Sequence, residues 1–136
     1  NSFNVYVLLG DGECNEGSIW EAATMAVAQK VENLTIFVDA NKWQATDRSA
    51  DLVGSTSLKD KWHAFGWNTY EIEGNDMQEI LNVLEEIPSM GVPTAIMLNT
   101  IKGKGVSFME DNNNWHYRIP NKEEVKLAFH ELSVEL

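Results

Sequence analysis

A single cysteine, Cys14, stands among the 136 residues. One thiol cannot close an internal disulfide, which suits a reducing compartment. Cations are scarce as well. Ten Lys and Arg face 21 Asp and Glu, a formal net charge of −11. Such a surface repels phosphate backbones and anionic lipid, which argues against nucleic acid or a membrane as a partner. A local anion site is still open to it, because backbone N–H groups and a metal ion hold an anion even inside a negative protein. No apolar run approaches the ~20 residues that a bilayer-spanning helix needs, and the start does not read as a signal peptide. The expectation is a cytoplasmic protein.

What is present is a regular alternation. Val5 to Leu9 is a continuous apolar run that reads as a buried strand and ends in Gly10-Asp11-Gly12. Glu16 to Lys30 has helical spacing, with Ile19, Ala22, Ala23, Ala26 and Val27 as its stripe. Leu34 to Val38 is the next strand, and Asp39 to Gly54 is polar without a clear element. Leu58 to Phe65 reads as a short helix and Asn68 to Ile72 as a third strand. Asp76 can cap a helix running to about Ile87, with Ile80, Leu81, Leu84 and Ile87 inward. Pro93 to Asn99 is a fourth strand and Ile101 to Ile119 a Gly- and Asn-rich loop. Asn121 can cap a last helix with Val125, Leu127, Ala128 and Leu132 as its apolar positions.

This rhythm implies an α/β fold, a parallel sheet with helices on both faces. The length suits one compact domain over residues 1–136. A parallel sheet that opens on Val5 to Leu9 leaves an apolar edge bare, so an upstream segment or a partner is expected to cover it. The domain is therefore expected to be incomplete at its N-terminal side.

Ligands of such folds gather at the C-terminal ends of the strands. That rule selects three loops: Gly10 to Gly17, Asp39 to Asp47, and Thr100 to His116. In the first, glycines let the backbone approach a ligand closely, and the N–H groups before a helix favour anions. Asp11 offers a hard oxygen to a divalent cation. The plainer alternative is a strand-to-helix turn with a capping carboxylate. Adjacent parallel strands end side by side, so Asp11 and Asn41 can face one Mg²⁺ or Ca²⁺. Asn41 as a left-handed turn residue is the alternative there. Cys14 reads as an ordinary loop residue, and His63 and His130 as structural residues of helices.

Gly10-Asp11-Gly12, followed by Asn41 one strand–helix–strand unit later, is similar to the thiamine-diphosphate fingerprint. Glu16-Gly17-Ser18-Ile19-Trp20-Glu21-Ala22, Ile101-Lys102-Gly103-Lys104-Gly105-Val106, and Trp115-His116 with Pro120 resemble the transketolase family, in order along the chain. Two alternatives stay open: another thiamine-diphosphate enzyme, such as a 2-oxo acid dehydrogenase or a deoxyxylulose-phosphate synthase, against which Trp20-Glu21 and Trp115-His116 argue, and a non-catalytic module that keeps the fold.

The resemblance implies thiamine diphosphate with Mg²⁺, or Ca²⁺ in its place, and transfer of a two-carbon ketol unit between sugar phosphates. It assigns the metal to Asp11, Asn41 and the main-chain carbonyl of Trp43. Gly10, Gly12 and Glu13 would meet the diphosphate, with Gln44, Lys102 and His116 as further cofactor contacts and Arg118 as a further cation. His116 would also act on the substrate, and Glu16 and Glu21 would form a carboxylate network between subunits. The family usually has glycine after the histidine that His116 matches; here Tyr117 stands there, which puts sugar specificity in question. The glutamate that activates the aminopyrimidine lies, in the family, in a separate pyrimidine-binding domain that has no counterpart here. A pyrimidine-binding domain or subunit is therefore the expected partner, in a homo- or hetero-oligomer.

Overall fold

The computed structural model describes residues 3–87 and 91–134. The chain forms two compact units, residues 1–100 and 101–136. The first carries a four-stranded parallel sheet of β1 (Val5–Gly10), β2 (Leu34–Asp39), β3 (Asn68–Glu73) and β4 (Thr94–Asn99), in the order β1-β2-β4-β3. The helices are α1 (Gly17–Ala28), α2 (Ser49–Val53), α3 (Leu58–Ala64) and α4 (Met77–Glu86). The second unit holds a 3₁₀ turn, Asn113–His116, and α5 (Lys122–Glu131).

Helices pack on both faces of the sheet, as the alternation predicts. Side chains one apart along a strand point to opposite faces. Ile36 and Val38 of β2, with Ala95 and Met97 of β4, pack against Ala23 and Ala26 of α1 and Trp62 of α3. Their neighbours Phe37, Ile96 and Leu98 pack on the other face with Val83, Ile80 and Leu84 of α4. The first face holds an aromatic cluster. Trp62 lies 4.9 Å from Trp20 and 4.8 Å, edge-on, from Trp67, and Trp67 donates its indole N–H to the Ala23 carbonyl at 3.1 Å.

Local signals set the helix starts. Asp76 accepts from the Gln78 and Glu79 amides at 2.8 and 3.3 Å. Asn121 and Glu124 form a complete capping box.

Several expectations need correction. β1 is an edge strand, not a buried one: among the described residues it pairs only with β2, and Tyr6 and Leu8 are 55% and 68% exposed. Its composition makes it a strand, but Val5 to Leu8 are exposed and Leu9 alone of its apolar residues packs on the core under α1 and α3. Residues 49–53 form α2, a five-residue helix with no side-chain cap bond and no buried residue. Leu81 is exposed, because Ile80, Val83, Leu84 and Ile87 already complete the i, i+3, i+4, i+7 stripe and Leu81 stands one position off it. Ala22 is exposed on α1 for the same reason, beside the buried Ala23. On α5 the half-buried apolar positions are Val125, Ala128 and Phe129, while Leu127 and Leu132 are exposed.

One glycine is fixed by packing. A Cβ on Gly74, just past β3, would lie 2.5 Å from the Leu98 Cβ and 2.6 Å from the Thr100 Cγ2. Gly74→Ala is expected to lower stability by about 1–3 kcal/mol through overpacking, read as a lower urea midpoint at an unchanged m-value. An unchanged midpoint would show that the two strand ends separate freely.

Candidate active site

Gly10 of β1 and Asp39 of β2 stand in register, so the loops that follow them start together. The Asp11 amide donates to the Asp39 carbonyl at 3.2 Å, which extends the strand ladder by one step. Asp11 is buried, 7% exposed, and its carboxylate accepts from the Ser49 hydroxyl. Burial pushes the Asp11 carboxyl above its ordinary value, against the lowering effect of the Ser49 and Gly12 hydrogen bonds, and the Asp39 charge adds to the rise. A cation beside it would favour the ionised form.

The second loop is tightly braced. Asp39 accepts from the Thr100 hydroxyl and, at 2.8 Å, from the Asn41 amide nitrogen. Asn41 in turn accepts the Trp43 amide on its Oδ1 at 2.9 Å. Lys42 takes φ +69° to make this turn. The Gln44 amide donates to the Asp47 carbonyl, the Ser49 amide donates to the Lys42 carbonyl, and the Arg48 guanidinium lies 3.8 Å over the Trp43 ring. The loop thus returns Ser49 to Asp11.

Gln44 ties the two loops together. Its Oε1 accepts from Asn15 Nδ2 at 3.1 Å. Its Nε2 is buried with no hydrogen-bond partner among the described residues. Asp11, Asn15, Gln44, Ser49 and Asn99 line a cavity of about 510 Å³.

The first loop is anchored from below. Glu13–Asn15 forms a 3₁₀ turn, and Glu13 folds its carboxylate back to the Gly10 amide at 2.7 Å. The Trp20 indole donates to the Cys14 carbonyl at 2.7 Å. Cys14 is therefore a core residue, 3% exposed, rather than an ordinary loop residue. Its burial pushes the thiol up to about 11, so it stays protonated at neutral pH and is a poor nucleophile. Glu16 is the exposed N-cap of α1 and Glu21 is exposed along it.

From Ile101 onward the third loop belongs to the second unit. Its turn depends on Gly103, at φ +73°, where a Cβ would lie 2.7 Å from the Met109 Cβ. Lys102 is half-buried and its carbonyl accepts from the Asp111 amide at 2.9 Å. The Trp115 indole donates to the Phe108 carbonyl at 2.8 Å. Arg118 lies 4.2 Å over the Trp115 ring and pairs with Glu124, so its charge is already partnered. His116 is exposed at the end of the 3₁₀ turn, its ring 4.6 Å from that of Tyr117.

Of the residues singled out in sequence, the structure brings Gly10, Asp11, Gly12, Glu13, Asn41, Trp43 and Gln44 into two adjoining loops. Lys102 and His116 lie in the other unit. Asn15, Asp39, Ser49 and Thr100 were missed. The described residues contain no cluster of three His, Cys, Asp or Glu side chains. A cation here would lean on one carboxylate together with amide and main-chain oxygens, a hard-oxygen set that fits Mg²⁺ or Ca²⁺. No helix among the described residues is long and apolar enough to cross a membrane.

The sheet and its C-terminal loops define a parallel α/β cofactor-binding domain. Residues 2–135 match the family model described as transketolase, thiamine diphosphate binding domain, and the chain belongs to that family. It is 44% identical over 131 residues to an apulose-4-phosphate transketolase subunit of Actinobacillus succinogenes, covering 96% of this chain and 48% of that protein. It is 40% identical over 132 residues to the 6-deoxy-6-sulfo-D-fructose transketolase subunit SqwG of a Clostridium species, again covering 96% of this chain and 48% of that protein. The chain thus spans about half the length of these curated relatives. Among solved structures, the transketolase of Campylobacter jejuni superposes with a TM-score of 0.90 at 26% identity, over 98% of this chain and 21% of that one.

Proposed function

We propose that this chain supplies the diphosphate and metal site of a transketolase that moves a two-carbon ketol unit between sugar phosphates. Thiamine diphosphate, when bound, supplies the carbanion chemistry, and the protein supplies its placement. The observation that carries this reading is the buried Asp11 carboxylate between Gly10 and Gly12 at the end of β1, directly beside the end of β2. A desolvated acid facing a ligand-sized cavity with a buried, unpartnered Gln44 amide donor nearby is costly unless a ligand completes it.

In this reading Asp11, Asn41 and the Trp43 carbonyl hold Mg²⁺, or Ca²⁺ in its place. Gly10, Gly12 and Glu13 present backbone groups to the diphosphate, and Gln44 and Lys102 add side-chain contacts. Glu13 would release the Gly10 amide that it occupies here. His116 serves the diphosphate and the sugar. The exposed Glu16 and Glu21 serve the contact with a second subunit. The relatives from Actinobacillus and Clostridium are themselves named as transketolase subunits, which supports a partner that carries the pyrimidine-binding domain. Their names, an apulose phosphate and a sulfo-fructose, support an anionic sugar as substrate. We place the enzyme in the cytoplasm.

The test is calorimetry of thiamine diphosphate with Mg²⁺ on the assembled enzyme. Asp11→Asn keeps the shape and removes the charge that offsets the cation. Affinity is expected to fall at least tenfold, about 1.4 kcal/mol. Wild-type affinity in this variant would remove Asp11 from the metal site.

A further inference from the structure

A side-chain amide has an acceptor end and a donor end, and Gln44 has only one of them satisfied. Asn15 occupies the Oε1 end at 3.1 Å, and the buried Nε2 end is left over. The side chain also lies against the first loop: a Cβ on Gly12 would be 3.5 Å from the Gln44 Cγ. Both Asn15 and Gln44 line the cavity beside Asp11. In this arrangement Asn15 donates through Nδ2, which takes up the Oε1 end of Gln44 and leaves Nε2 over. Were the contact reversed, the Gln44 carbonyl would be the end left for a ligand, with its lone pairs opposed to an anion.

We infer that Asn15 is a positioning residue that orients the Gln44 amide so that Nε2 is the end offered to an anionic oxygen of the cofactor. The inference rests on the thiamine-diphosphate reading above. It assigns Asn15 a role through polarity, not through packing.

Asn15→Asp tests it, because the shape is kept and the donor becomes an acceptor. The new carboxylate would draw Nε2 to itself and turn Oε1 toward the ligand. In calorimetry of thiamine diphosphate with Mg²⁺ on the assembled enzyme, Asn15→Asp is expected to weaken binding by roughly tenfold or more. Asn15→Ala leaves the Gln44 amide free to turn and is expected to lose only about threefold, by the same free-energy scale. Gln44→Met removes both ends of the amide. In that background Asn15→Asp is expected to add no more than about twofold, since its effect acts through Gln44 and the two changes are not additive.

A purely structural Asn15 predicts the opposite order, with the isosteric Asp milder than Ala; that order would overturn the inference. An undiminished Asp penalty in the Gln44→Met background would overturn it too, because the new charge would then repel the ligand directly. Failure of the wild-type assembly to bind thiamine diphosphate is a different result. It would overturn the cofactor reading itself.

Discussion

Trp62→Ala is expected to cost the N-terminal unit about 3–5 kcal/mol, the scale for truncating a buried aromatic side chain. Trp62 is 2% exposed and sits between Trp20 and Trp67. Its loss leaves a cavity that neighbouring indoles cannot fill, because each is tied by a hydrogen bond to a main-chain carbonyl, Trp20 to Cys14 and Trp67 to Ala23. The same cluster supports Cys14, two residues after Gly12, so the damage should reach the first ligand loop. The measurement is urea unfolding of the wild type and the variant, with a thiamine-diphosphate titration of each under folding conditions. The variant should show both a lower midpoint and weaker cofactor binding. A loss below about 1 kcal/mol, the range of ordinary surface substitutions, would mean that the core closes over the gap and that the cluster is not what holds the loop.

The elements of this fold were legible because their signals are local. The β-branched run before Asp39 gives a strand, and the 3.6-residue stripe after Gly17 gives a helix. Asp76 and Asn121 announce their helices by the one hydrogen-bonding geometry available at an N-terminus. The meeting of the first two loops was legible to the same extent. Asp11 and Asn41 stand at adjacent strand ends, and the parallel order of β1 and β2 was enough to bring their loops together.

What the sequence did not yield is non-local. Ser49 reaches Asp11 across 38 residues and Thr100 reaches Asp39 across 61, and neither hydroxyl sits in a recognisable pattern. α2 is too short to show a period. Leu81 fits a hydrophobic helix by composition but not by angle, since the stripe it adjoins was already complete. The burial of β1 could not be read from its residues either. A continuous apolar run states that a strand wants cover, not that the described residues supply it.

These two kinds of legibility bear on chemistry. The acid at the end of β1 can be recognised from its glycine neighbours. Its environment cannot, and the environment sets its proton affinity. Asp11 rises because it is buried, and Ser49 restrains that rise. A carboxylate so placed is poised for a cation, because a positive charge restores what desolvation removes. Gln44 makes the complementary point. The resemblance suggested a cofactor contact for Gln44, whereas the pairing of its Oε1 with Asn15, 29 residues away, could not be read from the sequence.

His116→Ala should lower kcat/KM of the assembled enzyme by roughly 10²-fold, the scale of a positioned proton donor. The imidazole is exposed at the end of the Asn113–His116 turn and touches the Tyr117 ring rather than a core. Its removal should therefore leave the thermal midpoint almost unchanged, which separates a chemical role from a structural one. An interaction that strengthens as charge develops on a substrate oxygen acts in the transition state more than in the ground state. Thiamine-diphosphate affinity should consequently change by less than about threefold, while turnover falls. The measurement pairs steady-state kinetics with a cofactor titration on the same preparation. Loss of cofactor binding in parallel with turnover would instead mean that the contact of His116 with the diphosphate outweighs its part in the reaction. Near-wild-type kinetics would make it a loop residue without a part in the reaction. The neighbouring Tyr117 sharpens the outcome, being 74% exposed. Tyr117→Gly removes the ring packed against His116, so a wild-type rate in this variant would show that the imidazole does not depend on this contact for its position.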